Sequence, residues 1–125
     1  MANLQVQPRP TPEERAQGLV DVEVDEDLTV FISTLEDWAA NRPAFEVLLY
    51  EGHDFGRTNN VEVSLLFASG EQTSTLTFRL DQLESAEDTG EELVLRFEER
   101  DGIAKLARLR PNGLDVELFH ILTFT

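Results

Sequence analysis

The chain has 125 residues, a length that suits a single domain, and it sets 25 Asp and Glu against ten Lys and Arg for a formal net charge of −15. With 41% hydrophobic residues and eight Phe it has too much apolar content for a wholly disordered acidic tail. The absence of cysteine excludes disulfides, thiolate metal sites and cysteine nucleophiles, and no window approaches the ~18 uninterrupted apolar residues of a spanning helix.

The opening MANLQVQPRPTPEER lacks the basic run and apolar stretch of a signal peptide, so the expected setting is cytoplasmic. A field of this sign repels phosphate backbones, which disfavours direct nucleic-acid binding and favours basic proteins, divalent cations or plain solubility. The excess is uneven. Residues 1–92 hold 20 acidic and 5 basic residues, whereas residues 93–125 hold 5 of each. Lys105 is the only lysine.

In chain order, residues 1–11 carry Pro8 and Pro10 and little apolar content, and read as a flexible N-terminal arm. Thr11-Pro12-Glu13-Glu14 resembles a capped helix start that Gly18 would stop. From Leu19 the period changes to two. Val20, Val22 and Val24 face Ile32, Val30 and Leu28 in a hairpin with Asp25, Glu26 and Asp27 in the loop. This register sets Phe31 opposite Asp21 on the other face. Thr34–Asn41 reads as a short helix capped by Thr34 and ended by Pro43, and Ala44–Glu51 as a strand apolar on both faces.

The segment 61–80 carries the cleanest register. A loop at 69–72 sets Leu65 against Leu76 and Val63 against Phe78. The same register sets Glu62 against Arg79 and Ser64 against Thr77 on the opposite face, and Leu66 against Thr75. Asp81–Glu84 has capping-box spacing, and the acidic run Glu84–Glu92 reads as a mobile loop. A third hairpin at 92–109 turns at Asp101-Gly102 and pairs Phe97 with Leu106, Glu98 with Lys105 and Val94 with Leu109. A short helix competes over 103–109. After a turn at Pro111-Asn112-Gly113, Leu114–Thr125 reads as one long strand, either central or at an interface, with His120 in phase with Leu118 and Leu122 as a core or pocket residue.

These elements predict an all-β fold: a single-domain antiparallel β-sandwich or small closed barrel of about eight strands over residues 12–125, with one or two short helices.

Chemistry is sparse. The most varied loop is Gly52–Asn60. Its His53 and Asp54 are adjacent on the chain, and adjacent side chains on an extended backbone point apart, so they make no oriented catalytic pair. Two histidines and no cysteine argue against zinc. Asp21, Glu23 and Asp25 share one strand face, followed by Glu26 and Asp27, but without the spacing of a calcium loop. No phosphate-binding loop, nucleophile elbow or paired-carboxylate spacing stands out, so neither an enzyme nor a cofactor is expected.

The expectation is a non-enzymatic acidic protein-binding module: an inhibitor, immunity-type protein or assembly factor that engages a basic partner protein, with nucleic-acid mimicry as one version. Its contact residues would be Asp21, Glu23, Asp25, Glu26, Asp27, Phe31, His53, Asp54 and Arg57. The alternatives are a β-barrel that holds a small apolar ligand among Phe45, Phe67, Phe78, Phe97 and Leu118, with His120 or Tyr50 as the polar contact, and a structural subunit that forms homo-oligomers through strand edges.

Overall fold

Period-two alternation carries most of the chain into strands, as expected. The computed structural model describes residues 2–8, 18–53 and 57–120. Its elements are β1 (Ala2–Val6), β2 (Val20–Val24), α1 (Glu26–Ala40), β3 (Phe45–Glu51), β4 (Val61–Ser69), β5 (Gln72–Arg79), a 3₁₀ turn (Leu80–Gln82), β6 (Leu83–Asp88), β7 (Leu93–Phe97), β8 (Ile103–Arg110) and β9 (Gly113–His120). The strands make three antiparallel sheets with orders β1-β2, β3-β4-β5 and β6-β7-β8-β9, and the sheets are not closed. A parallel bridge joins the end of β1 to β3. Gln7 N–H donates to the Leu49 carbonyl at 2.9 Å, and Glu51 N–H donates to the Gln7 carbonyl at 2.8 Å.

The β4–β5 hairpin has the expected register. Leu65 faces Leu76, Val63 faces Phe78, Glu62 faces Arg79 and Ser64 faces Thr77. Pairing runs further than expected, to Ser69–Gln72, so the loop shrinks to Gly70-Glu71. Gly70 takes φ +61°, a value that glycine adopts without a Cβ clash. β3 then adds to β4 with Phe45 opposite Phe67.

Four expectations are overturned. The first is the hairpin with its loop at 25–27, because residues 26–40 form one helix. Leu28, Ile32, Leu35 and Trp38 recur at spacings of four, three and three, and all four are buried on one helix face. Val30, placed inside by the hairpin reading, is 60% exposed. Phe31 lies on α1 and packs against the core instead of facing Asp21 across a sheet. The second is the arm, whose residues 2–6 form the strand that β2 requires: Leu4 faces Val22 and Val6 faces Val20. The expected helix start at 11–14 lies outside the described residues.

The third is the acidic run 84–92, much of which is strand. β6 pairs with β7, setting Ala86 against Leu95 and Asp88 against Leu93. The fourth is the β7–β8 register, displaced by one residue: Leu93 faces Leu109, Leu95 faces Ala107 and Arg96 faces Leu106. The expected register would have set Arg96 against the fully buried Ala107, and burying an unpaired guanidinium is costly. The Asp101-Gly102 turn itself is present, with φ of 52° and 75° and mutual bonds between Arg100 and Ile103 of 3.0 and 2.8 Å. Between that bridge and the Arg96–Leu106 pair, one side has a residue more than the other. The ladder absorbs the difference there as a bulge does. Residues 103–110 are strand, not helix.

The interior is apolar throughout. Val61, Val63, Leu65 and Phe67 of β4 join Leu93, Leu95 and Phe97 of β7, together with the α1 stripe, in one cluster. Trp38 meets Phe45 edge-on at 4.9 Å, Phe45 lies 5.0 Å from Phe67, and Phe78 meets Phe97 at 4.9 Å. Four of the five side chains expected to line a ligand cavity are thus buried against other rings, and Leu118 is 65% exposed. His120 is exposed rather than held in a pocket, and β9 is the outermost strand of its sheet, not a central one. Residues 121–125 of the expected long strand lie outside the described residues.

The helix makes a direct test. Ile32→Ala should lower the unfolding free energy by about 2–5 kcal/mol, and Val30→Ala should stay within about 0.5 kcal/mol of the parent, both read from urea denaturation. A strand over 28–32 would make the two losses comparable.

Candidate functional site

The loop between β3 and β4 is held by backbone bonds at its base. Gly52 N–H donates to the Asn60 carbonyl at 2.9 Å, and Val61 N–H donates to the Asn59 carbonyl at 2.9 Å. Gly52 packs against the Asn60 side chain, which would have to turn away to admit a Cβ there. Asn59 sits at φ +63°, a left-handed conformation that asparagine tolerates better than most residues.

That conformation aims Asn59 at the junction of β2 and α1. Asp25 N–H donates to Asn59 Oδ1 at 2.8 Å, and Asn59 Nδ2 donates to Asp25 Oδ2 at 3.0 Å. Asn59 N–H donates to the Glu23 carbonyl at 2.9 Å. Asp25 is the N-cap of α1, yet its carboxylate makes no cap bond to the helix. The carboxylate is instead committed to Asn59, and the backbone carbonyl of Asp25 accepts from Leu28 N–H at 3.0 Å. Three hydrogen bonds therefore fix the end of the 52–60 loop to the acidic strand.

The result is a shallow groove of about 200 Å³ between β2 and the loop. Asp21, Glu23 and Glu51 bring carboxylates to it, and Arg57, Thr58 and Asn60 close the other side. Arg57 also borders a second hollow of about 190 Å³, shared with His53, Glu62, Arg79 and Asp81. Asp81 accepts a two-pronged contact from Arg79, at 3.1 and 2.7 Å, and lies 3.8 Å from the Arg57 guanidinium. These pairs are partly solvated, so each contributes at most about 1 kcal/mol. Their effect is to position the Arg57 side of the loop.

The structure places Asp21, Glu23 and Arg57 in one groove, with Asp25 attached to its rim through Asn59. Glu26 and Asp27 are exposed in the first turn of α1, where negative charge complements the helix dipole. His53 is exposed and borders the second hollow. Phe31 lies apart, against the core, and Asp54 lies outside the described residues. Sequence reasoning singled out neither Glu51 nor Asn59. The only local signal for Glu51 was its place as the polar end of an apolar strand.

No charged side chain is fully buried among the described residues, and no three His, Asp or Glu side chains among them gather as metal ligands. The carboxylates of the groove face water, where they act as a negatively charged surface. No helix among the described residues is long and apolar enough to cross a membrane. Comparison with protein-family models, curated proteins and solved structures found no match.

Asn59→Ala should cost about 1–2 kcal/mol of stability, from the lost bonds to Asp25 and the left-handed backbone. Asn59→Gly loses the same bonds without the backbone term, so thermal unfolding should rank it between Asn59→Ala and the parent. Equal losses for the two would mean that φ at this site carries no strain for alanine.

Proposed function

We propose that the protein is a non-enzymatic acidic protein-binding module that engages a basic protein through β2, the start of α1 and the 52–60 loop. One observation carries this reading: Asp21, Glu23 and Glu51 converge on a single groove, and among the described residues Arg57 is the one basic residue that borders it. Glu26 and Asp27 extend the negative surface from its rim. The Asn59 clasp supports the reading because it holds the groove in shape before any partner arrives, which lowers the entropy lost on binding. Charge of one sign in a groove speeds encounter with an oppositely charged partner and weakens with salt. An inhibitor, immunity-type protein or assembly factor fits this description.

The finer fold reading is a β-sandwich. The Phe78–Phe97 contact between the sheet β3-β4-β5 and the sheet β6-β7-β8-β9 supports it, as does their shared core cluster. The ring-against-ring packing of Phe45, Phe67, Phe78 and Phe97 weighs against a barrel built around a small ligand.

The test is affinity capture from the source lysate at low and high salt, with Asp21→Lys/Glu23→Lys as the comparison bait. Both side chains are exposed on β2, so the double variant should fold as the parent does. The expected result is a basic protein retained at low salt, released at high salt, and bound at least about tenfold more weakly by the variant, chiefly through a slower association rate. Equal retention by parent and variant would remove the groove from the interface.

A further inference from the structure

Large hydrophobic side chains exposed among the described residues concentrate on one strand: Val116 is 45%, Leu118 65% and Phe119 49% exposed, all on β9. β9 is the last strand in the order β6-β7-β8-β9 and, among the described residues, is hydrogen-bonded to β8 alone. Its first residues are covered, since Leu114 packs against the core and the strand approaches β5 there. Val116 and Leu118 lie on the same face as Leu114 and continue past that cover. Beside Leu118 a groove of about 390 Å³ opens over Phe97 and Ile103, with Glu98, Arg100, Asp101 and Lys105 also lining it.

Edge strands in soluble proteins are usually guarded by lysine, proline, a bulge or an unpaired inward charge. β9, with the sequence GLDVELFH, has no lysine or proline, and its ladder to β8 runs without a break from Arg110–Gly113 to Ile103–His120. Its two carboxylates are paired with arginines of β8. Arg110 lies 2.6 Å from Asp115, and Arg108 lies 3.5 Å from Glu117. Both arginines also hold Glu92. The strand therefore offers a backbone edge and apolar side chains, with its own acids already partnered.

Charge identifies the occupant. Residues 1–92 carry the entire excess of −15, and residues 93–125 balance to zero. Two copies that met through the acidic groove would repel, whereas two that met through β9 would not. A basic protein would gain little at β9, where arginines of the same hairpin already hold the carboxylates. We propose that β9 is a self-pairing edge, through which two copies form a two-fold dimer by antiparallel addition of β9 to β9. The two four-stranded sheets then become one continuous sheet of eight strands. A register centred on Leu118 sets Leu118 opposite its counterpart, Val116 opposite His120 and Glu117 opposite Phe119, so that no carboxylate faces a carboxylate. This surface is separate from the acidic groove, and the dimer stands or falls independently of the groove's partner.

The test is sedimentation velocity over rising protein concentration, at low and high salt. The expected result is a shift from the chain mass to twice that mass, which high salt does not reverse. Leu118→Lys should weaken the association by at least about tenfold, because it sets two ammonium groups face to face. Circular dichroism should show it folded, since the side chain is mostly exposed. Asp21→Lys/Glu23→Lys should dimerise as the parent does, and hydrogen exchange of the β9 amides should slow as the parent dimerises. A monomer at every concentration overturns the proposal and leaves the strand to a different protein. A dimer undiminished in Leu118→Lys overturns it as well, and so does a dimer that is lost in Asp21→Lys/Glu23→Lys.

Discussion

The structure depends on the burial of one helical stripe. Leu28, Ile32, Leu35 and Trp38 turn a single face of α1 onto the sheets, and the helix packs against β6, β3 and β1, a strand from each of the three sheets. Burying four such side chains is worth about 1.5–3 kcal/mol each before conformational entropy is counted against it. Trp38 continues the contact into the sheet β3-β4-β5 through Phe45 and then Phe67. Its ring is also covered by the Arg42 guanidinium at 4.1 Å, and Arg42 Nη1 donates to the Trp38 carbonyl at 2.6 Å at the end of the helix. Trp38 Nε1 is buried with no hydrogen-bond partner among the described residues, a cost of about 1–3 kcal/mol that the packing of the ring has to offset.

The same stripe explains which parts of the fold could be read from the chain. The β4–β5 hairpin was legible because two independent constraints, apolar pairs on one face and Glu62–Arg79 on the other, admit one register. The helix was hidden by its neighbours. Val20-Asp21-Val22-Glu23-Val24 sets a period of two, and Leu28, Val30 and Ile32 continue it in a β-branched segment that favours strands on propensity. The helical spacing emerges only when the count runs on to Leu35 and Trp38, and burial of Trp38 decides between the periods. β6 was illegible for the opposite reason. Its polar sequence LESAED lacks strand propensity, and it is a strand because β7 supplies the pairing. The β7–β8 slip needed knowledge of which face holds the core, since only that knowledge forbids Arg96 beside Ala107.

The candidate site was legible as charge but not as shape. Composition and alternation brought out Asp21 and Glu23, and loop variety brought out His53 and Arg57. What joins them is Asn59, and no local pattern distinguishes an asparagine that fills a turn from one that binds a strand 34 residues away. The clasp exists because the chain between Asp25 and Asn59 folds as α1 followed by β3, and the loop after β3 brings Asn59 back to the start of the helix. It is therefore a product of the tertiary fold. The misassigned hairpin would also have kept Asp25 in a solvated loop, free to contact a partner. In the folded protein its backbone N–H and its carboxylate are both committed to Asn59, which makes it part of the frame of the groove.

Charge segregation then gives the two ends of the molecule different rules of association. Carboxylates on β2 and at the start of α1 are exposed, so their effect reaches about a Debye length and fades with salt. On the β8–β9 hairpin Arg108 and Arg110 hold Asp115 and Glu117 of β9 and also Glu92, which precedes β7. Paired side chains leave backbone pairing and apolar contact as the forces that act there, and both are short-ranged and insensitive to salt. A long-range acidic field can gather a basic protein to one side while it keeps other copies from that side. A second copy that approached along β9 would meet a strand whose two carboxylates already have arginine partners.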